Sequence, residues 1–72
     1  MKRITVDGKY IKLDSFLKYV GEVHTGGQAK FLIKLGKIIV NGEVCQMRGK
    51  KLKNSDVVRI NEQEYEVYTN CT

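Results

Sequence analysis

Apolar positions along this chain change their spacing several times, and each change marks a different kind of element. Ile4-Thr5-Val6 has the look of a short strand, and Tyr10-Ile11 follows it across Asp7-Gly8. Asp-Gly between two such runs predicts a β-hairpin. The period then lengthens. Leu13, Phe16, Leu17 and Val20 recur at i, i+3, i+4 and i+7, which is one face of a short helix over about Asp14–Val20. Asp14 or Ser15 is placed to cap its start and Gly21 to end it.

A second helix is predicted over about Gly26–Leu35. Thr25 followed three residues on by Gln28 is a capping box, in which the hydroxyl accepts from a first-turn N–H and the glutamine amide reaches back. Ala29, Leu32, Ile33 and Gly36 fall on one side of this helix, and Lys30, Lys34 and Lys37 on another, about 100° away. Phe31 and Leu35 lie between the two stripes and are expected to pack at an edge. Gly36 is the expected left-handed terminator.

Beyond Gly36 the period shortens to that of strands. Ile38-Ile39-Val40, Asn41-Gly42 and Glu43-Val44-Cys45 spell a tight hairpin, because Asn-Gly supplies the two positive φ angles of a type I′ turn. A basic, glycine-containing loop runs from Gln46 to Lys53. Asn54-Ser55-Asp56 then reads as a turn, Val57-Val58-Arg59-Ile60 as a strand, Asn61 to Glu64 as another turn, and Tyr65-Glu66-Val67-Tyr68 as a last alternating strand. The four final residues are expected to fray. The sum is an α+β fold: two short antiparallel helices packed on one face of a small, mostly antiparallel β-sheet. At 72 residues the chain is one domain with one small core, residues 12–60 forming its central motif. A chain of this size buries only about 60% of the surface its unfolded form exposes.

Charge changes the picture from fold to function. From Lys30 to Lys53 there are seven basic residues and a single acid, Glu43, for a formal charge of +6; the first 29 residues carry +2 and the last 19 carry −3. A basic face is thus set against a neutral-to-acidic back, and the sequence pI is near 9.4. The usual target of such a face on a small domain is a nucleic-acid backbone. Lysines also form helices well and keep an outer face wet. Against that ordinary reading, Lys30, Lys34 and Lys37 have no acidic residue at i±4, and Arg48, Lys50, Lys51 and Lys53 repeat the same sign.

Other chemistries find little support. Cys45 and Cys71 lie 26 positions apart, without the spacing of a metal knuckle or redox pair, and read as a strand residue and a loose tail thiol. His24 is the lone histidine, read as a solvent-facing turn residue with no nucleophile or acid arranged around it. No apolar run approaches the roughly 18 residues of a membrane span. An enzyme is excluded for want of room and of catalytic residues, and no cofactor, metal or small-molecule substrate is expected. A cytoplasmic monomer with a polyanionic partner is the expectation. Gly26-Gly27 reads two ways: as a close approach of a neighbouring element, or as bare N–H groups at a helix start that let a phosphate come near. Tyr10, Tyr19, Phe31, Tyr65 and Tyr68 could stack bases, with core or edge packing the default reading for most of them. Of the tyrosines, none falls inside the basic stretch, so a shape-and-phosphate reader of folded RNA is favoured over an aromatic single-strand platform.

The pattern Lys12-Leu13-Asp14, Leu17, Gly21, Thr25, Ala29, Leu32-Ile33, Gly36, Ile38, Val40-Asn41-Gly42 and Asp56-Val57-Val58 resembles the S4-type RNA-binding domain, the αL module. Thr-Gly-Gly-Gln-Ala-Lys and Arg-Gly-Lys-Lys-Leu look more like its small stand-alone bacterial members than the ribosomal protein. The resemblance implies an RNA surface built from the second helix, its N-terminal turn, and the hairpin with the loop after it. Carried over by position, that surface comprises Lys12, Thr25, Gly26, Gln28, Lys30 and Lys34, with Asn41, Arg48, Lys50 and Lys51 across a groove; Gly27 and Lys37 join it from the charge and helix-start arguments above. Many family members carry arginine directly after the capping residue. Here that position is Gly26, which offers backbone alone. The expected function is non-catalytic recognition of structured RNA, ribosomal or tRNA-like. The alternative is a protein-interaction or assembly module that turns the same basic face to an acidic partner.

Overall fold

A computed structural model describes residues 1–70; the thiol reading for Cys71 lies outside the described residues. The elements run β1 (Lys2–Val6), β2 (Ile11–Lys12), α1 (Leu13–Tyr19), α2 (Gly26–Lys34), β3 (Ile39–Val40), β4 (Glu43–Val44), β5 (Lys51–Leu52), β6 (Val57–Ile60) and β7 (Gln63–Thr69). Five strands form one sheet in the order β1-β7-β6-β3-β4, and β2 pairs with β5 in a separate two-stranded ladder. All pairings are antiparallel except β1 with β7.

Most of the core is the set the apolar spacing singles out, although Val20 and Leu32 of the two stripes are only half-buried. Leu13, Phe16 and Leu17 of α1 and Ala29 and Ile33 of α2 are buried against Val40, Val58, Ile60, Tyr65 and Val67 of the sheet. Along β7 burial alternates, with Tyr65 and Val67 inward and Glu64 and Tyr68 exposed. Arg3, Arg59, Glu64 and Glu66 belong to the outward set, where Arg59 stands opposite Glu64, and Arg3 opposite Glu66 at 3.4 Å. This open sheet face carries paired charges of both signs.

The hairpin at Asn41-Gly42 forms as expected, with φ of 51° and 84°. Gly21 and Gly36 end the helices at φ of 84° and 75°. Asn61 and Glu62, at φ 49° and 68°, form a two-residue turn of the same kind, so Gln63 and Glu64 belong to β7 rather than to the turn.

Four expectations need correction. Asp7-Gly8 does not close a hairpin: β1 runs parallel to β7 over five register pairs, and Ile11-Lys12 leaves for β5. Two very short runs have little to offer each other, whereas the seven-residue β7 offers a full edge. Neither Asp14 nor Ser15 caps α1. The N-cap is Lys12, without a side-chain bond, and the free N–H groups of Leu13 and Asp14 donate to the Lys50 and Arg48 carbonyls at 2.8 and 3.3 Å. Phe31 and Leu35 pack at no edge and stand 64% and 53% exposed, because no other element crosses their side of α2. Thr69 and Asn70 are held: Thr69 N–H donates to Asn54 Oδ1 at 3.1 Å and Asn70 N–H to the Val6 carbonyl at 2.9 Å.

Tyr65 ties the helix connection to the sheet. Its ring meets Phe16 edge-on at 6.0 Å, and its hydroxyl donates to Glu22 Oε1 at 2.7 Å. Burial, and then the Glu22 carboxylate, push its pKa above the usual 10.0. A raised folded value means that this contribution is intact below pH 10 and is lost as pH climbs through the folded pKa. Tyr65→Phe is expected to cost about 1–2 kcal/mol at neutral pH. Urea midpoints measured against pH should show the wild type and variant converging above pH 10.

Candidate nucleic-acid interface

The basic loop is fixed at both ends by its own backbone and by one amide. At its start, Gln46 Nε2 donates to the Lys34 carbonyl at 2.9 Å, fastening the loop to the C-terminal end of α2. At its far end, the carbonyls of Arg48 and Lys50 complete the first turn of α1. The loop therefore bridges the end of α2 and the beginning of α1, which antiparallel packing places side by side. Lys34 and Lys37 come to the same end of the molecule as Arg48, Lys50 and Lys51. A hollow of about 420 Å³ opens between hairpin and loop, lined by Glu43, Val44, Gln46, Met47 and Lys50 among others.

The β2–β5 ladder adds a juxtaposition that the chain order hides. Ile11 stands opposite Leu52, the one half-buried and the other fully buried. Lys12 stands opposite Lys51, both exposed. Directly opposed side chains in an antiparallel ladder have Cβ atoms about 5 Å apart, and like charges there are destabilising. No carboxylate relieves them: among the described residues, only Arg3 and Arg48 have one within ion-pair distance, the latter from Asp14 at 3.9 Å. Lys51 Nζ also lies 5.0 Å from the centre of the Tyr10 ring. Tyr10 is thus an aromatic member of the basic face. Sequence reasoning missed it because the contact exists only through β2–β5 pairing.

The remaining predicted residues divide by what their side chains already do. Thr25 Oγ1 accepts from Gln28 N–H at 3.1 Å, and Gln28 Oε1 accepts from His24 N–H at 2.8 Å, one residue upstream of the expected partner. Both cap α2. Asn41 is committed twice, donating through Nδ2 to Asp56 Oδ1 at 3.1 Å and accepting from Val57 N–H at 2.9 Å, which locks the hairpin to β6. Gly26 and Gly27 have open space: a Cβ on Gly26 would meet nothing within 4 Å, and one on Gly27 only Thr25 Oγ1 at 3.8 Å. Close approach of a neighbour therefore does not explain them. Their turn lies at the opposite end of α2 from the basic loop, about 13 Å along a nine-residue helix. Lys30 stands between the two ends.

The described residues hold no group of three or more side chains suited to a metal ion, and no helix is long and apolar enough to cross a membrane. A family model described as the S4 domain matches residues 4–68. A protein of Bacillus subtilis (strain 168) named probable ribosome maturation protein RlbA is 39% identical over 57 residues, which cover 79% of this chain and 80% of that protein. The crystal structure of the 30S ribosomal protein S4e from Thermoplasma acidophilum shares the fold at 18% identity and a TM-score of 0.58, over 81% of this chain and 30% of that one. Two helices beside a mixed sheet, a Val-Asn-Gly hairpin and a match across nearly the whole length agree: the chain belongs to the S4 domain family of non-catalytic RNA-binding modules.

Proposed function

We propose that this protein binds structured RNA, ribosomal RNA in particular, through Lys12, Lys30, Lys34, Lys37, Arg48, Lys50 and Lys51. In this reading, Gly26 and Gly27 offer backbone N–H groups at the far end of α2. The observation that carries the reading is the opposed pair Lys12–Lys51, two lysines held face to face with no acid between them. A fold that tolerates such repulsion is relieved by a phosphate placed over the pair. Asn41 and Thr25 serve the site indirectly, by fixing the hairpin and the start of α2, and Gln28 caps α2 through Oε1 while keeping its amide N–H groups. The relative named as a probable ribosome maturation protein supports a role in ribosome maturation, which would place the protein in the cytoplasm; a monomer is the state proposed with it.

Lys12→Glu tests the reading with two opposite signs. It turns a repulsive cross-strand pair into an attractive one and puts a carboxylate at the N-terminus of α1, which should raise stability by about 1 kcal/mol. The same change should lower affinity for ribosomal RNA at least about tenfold, since like charge now meets the phosphate. Urea unfolding and electrophoretic mobility shift measure the two effects. Unchanged RNA affinity in the stabilised variant would refute the assignment. Binding that survives nuclease treatment and follows an acidic protein would replace RNA as the partner.

A further inference from the structure

Phe31 is the largest side chain that α2 leaves in solvent, at 64% exposure, and it stands on the helix that carries the lysine stripe. A single exposed apolar ring is ordinary on a protein surface, and what sets this one apart is the hollow it borders. It lines a shallow depression of about 430 Å³, together with Glu22, Val23, His24, Gly27, Gln28 and Leu32. Gly27 and Gln28 lie one turn before Phe31 on the same helix face, and Lys34 lies three residues after it. Val23 is buried and Leu32 half-buried, so the floor is apolar.

We propose that this depression receives a single unpaired nucleobase, extruded from structured RNA and stacked on Phe31, while its phosphates rest on Lys30 and Lys34. The inference rests on the RNA-binding reading and adds a base-reading position to it. Three observations choose the occupant. Gly27 and Phe31 wall the depression together, and the space beside Gly27 is open, a Cβ there meeting only Thr25 Oγ1 at 3.8 Å. Glu22 lines the hollow and repels a phosphate, so a base rather than the backbone goes inside. The polar lining suits a base edge better than an apolar protein side chain: Gln28 keeps its amide N–H groups after Oε1 has accepted from His24, and Glu22 keeps a second carboxylate oxygen after Oε1 has accepted from Tyr65. An aromatic face and a few convergent polar groups match a base, and Lys30 and Lys34 on the same helix supply the charge for its phosphates.

The test compares short RNA hairpins carrying one bulged, randomised nucleotide with the same hairpin fully paired. Wild type should prefer the bulged form. Phe31→Ala should weaken bulged-hairpin binding roughly 10- to 100-fold and leave paired-hairpin binding unchanged. Phe31→Leu, apolar but unable to stack, should behave like Phe31→Ala. The chain contains no tryptophan, so Phe31→Trp gives a single tryptophan that can be excited selectively over the four tyrosines, and its fluorescence should be quenched by the bulged hairpin alone. Folding is not at issue at so exposed a position, and thermal melts should coincide. Full retention of the bulge preference in Phe31→Ala, or in Phe31→Leu, overturns the stacking proposal. Should Lys30→Glu/Lys34→Glu abolish binding to both hairpins while Phe31→Ala changes neither, the base site falls and the RNA-binding reading stands. If wild type binds neither hairpin, or the charge reversal is harmless to both, the RNA-binding reading itself fails.

Discussion

Phe16→Ala should leave this domain at the margin of folding. Phe16 has no exposed surface, and it joins the α1 stripe to the sheet through Tyr65. Truncating a buried phenylalanine costs about 3–5 kcal/mol, from lost transfer energy and the cavity left behind. A chain of this length holds only about 4–11 kcal/mol in total. The melting temperature should drop by about 15–30 °C, and a circular-dichroism melt would show the loss directly. Ile33→Ala belongs to the same class, since Ile33 is buried, whereas Leu32→Ala should cost less because Leu32 is half-buried. Equal melts for Phe16→Ala and wild type would mean that the helix stripe does not form the core.

The second large effect concerns binding. Lys30→Glu/Lys34→Glu and Lys50→Glu/Lys51→Glu each replace two attractions to phosphate with two repulsions. Like-charge juxtaposition at an interface costs several kcal/mol, so affinity for ribosomal RNA should fall by at least about 10²-fold in either variant. All four side chains belong to exposed residues; stability should change by less than about 0.5 kcal/mol for the Lys30/Lys34 reversal, and should rise by up to about 1 kcal/mol for the Lys50/Lys51 reversal, which turns the Lys12–Lys51 repulsion into an attraction. A filter-binding isotherm beside a urea curve separates impaired binding from impaired folding.

Local chemistry made most of the fold legible. The helix faces follow from a 3.6-residue period, the hairpin from Asn41-Gly42, and the helix ends from Gly21 and Gly36. What escaped was everything decided by distant partners. Nothing near Ile4 says that its strand will lie parallel to Tyr65–Thr69, because that pairing is set by the free edge of β7. The cap on α1 escaped for the same reason: its acceptors are carbonyls from a loop more than thirty residues on. Periodicity placed Phe31 and Leu35 between two stripes, but only the assembled fold shows that nothing among the described residues crosses over them. The candidate site was half legible. Its charge was written in Lys30 to Lys53, whereas Lys12 opposite Lys51, and Tyr10 beside it, exist only through β2–β5 pairing. Asn41 and Gln28 illustrate the reverse case, since both match a binding pattern while their side chains hold the scaffold.

The central claim is that RNA phosphates engage one localised surface rather than the net charge of the molecule. The salt dependence of binding tests it most directly. Lys2 supplies the control, because β1 lies at the opposite edge of the sheet from β4. Changing Lys34, Lys50 or Lys51 to Met should flatten the slope of log affinity against log salt by roughly 0.7–0.9 for each phosphate that the variant no longer neutralises. The slope should stay unchanged for Lys2→Met. Equal flattening by Lys2→Met, or a wild-type affinity indifferent to salt, would contradict the claim.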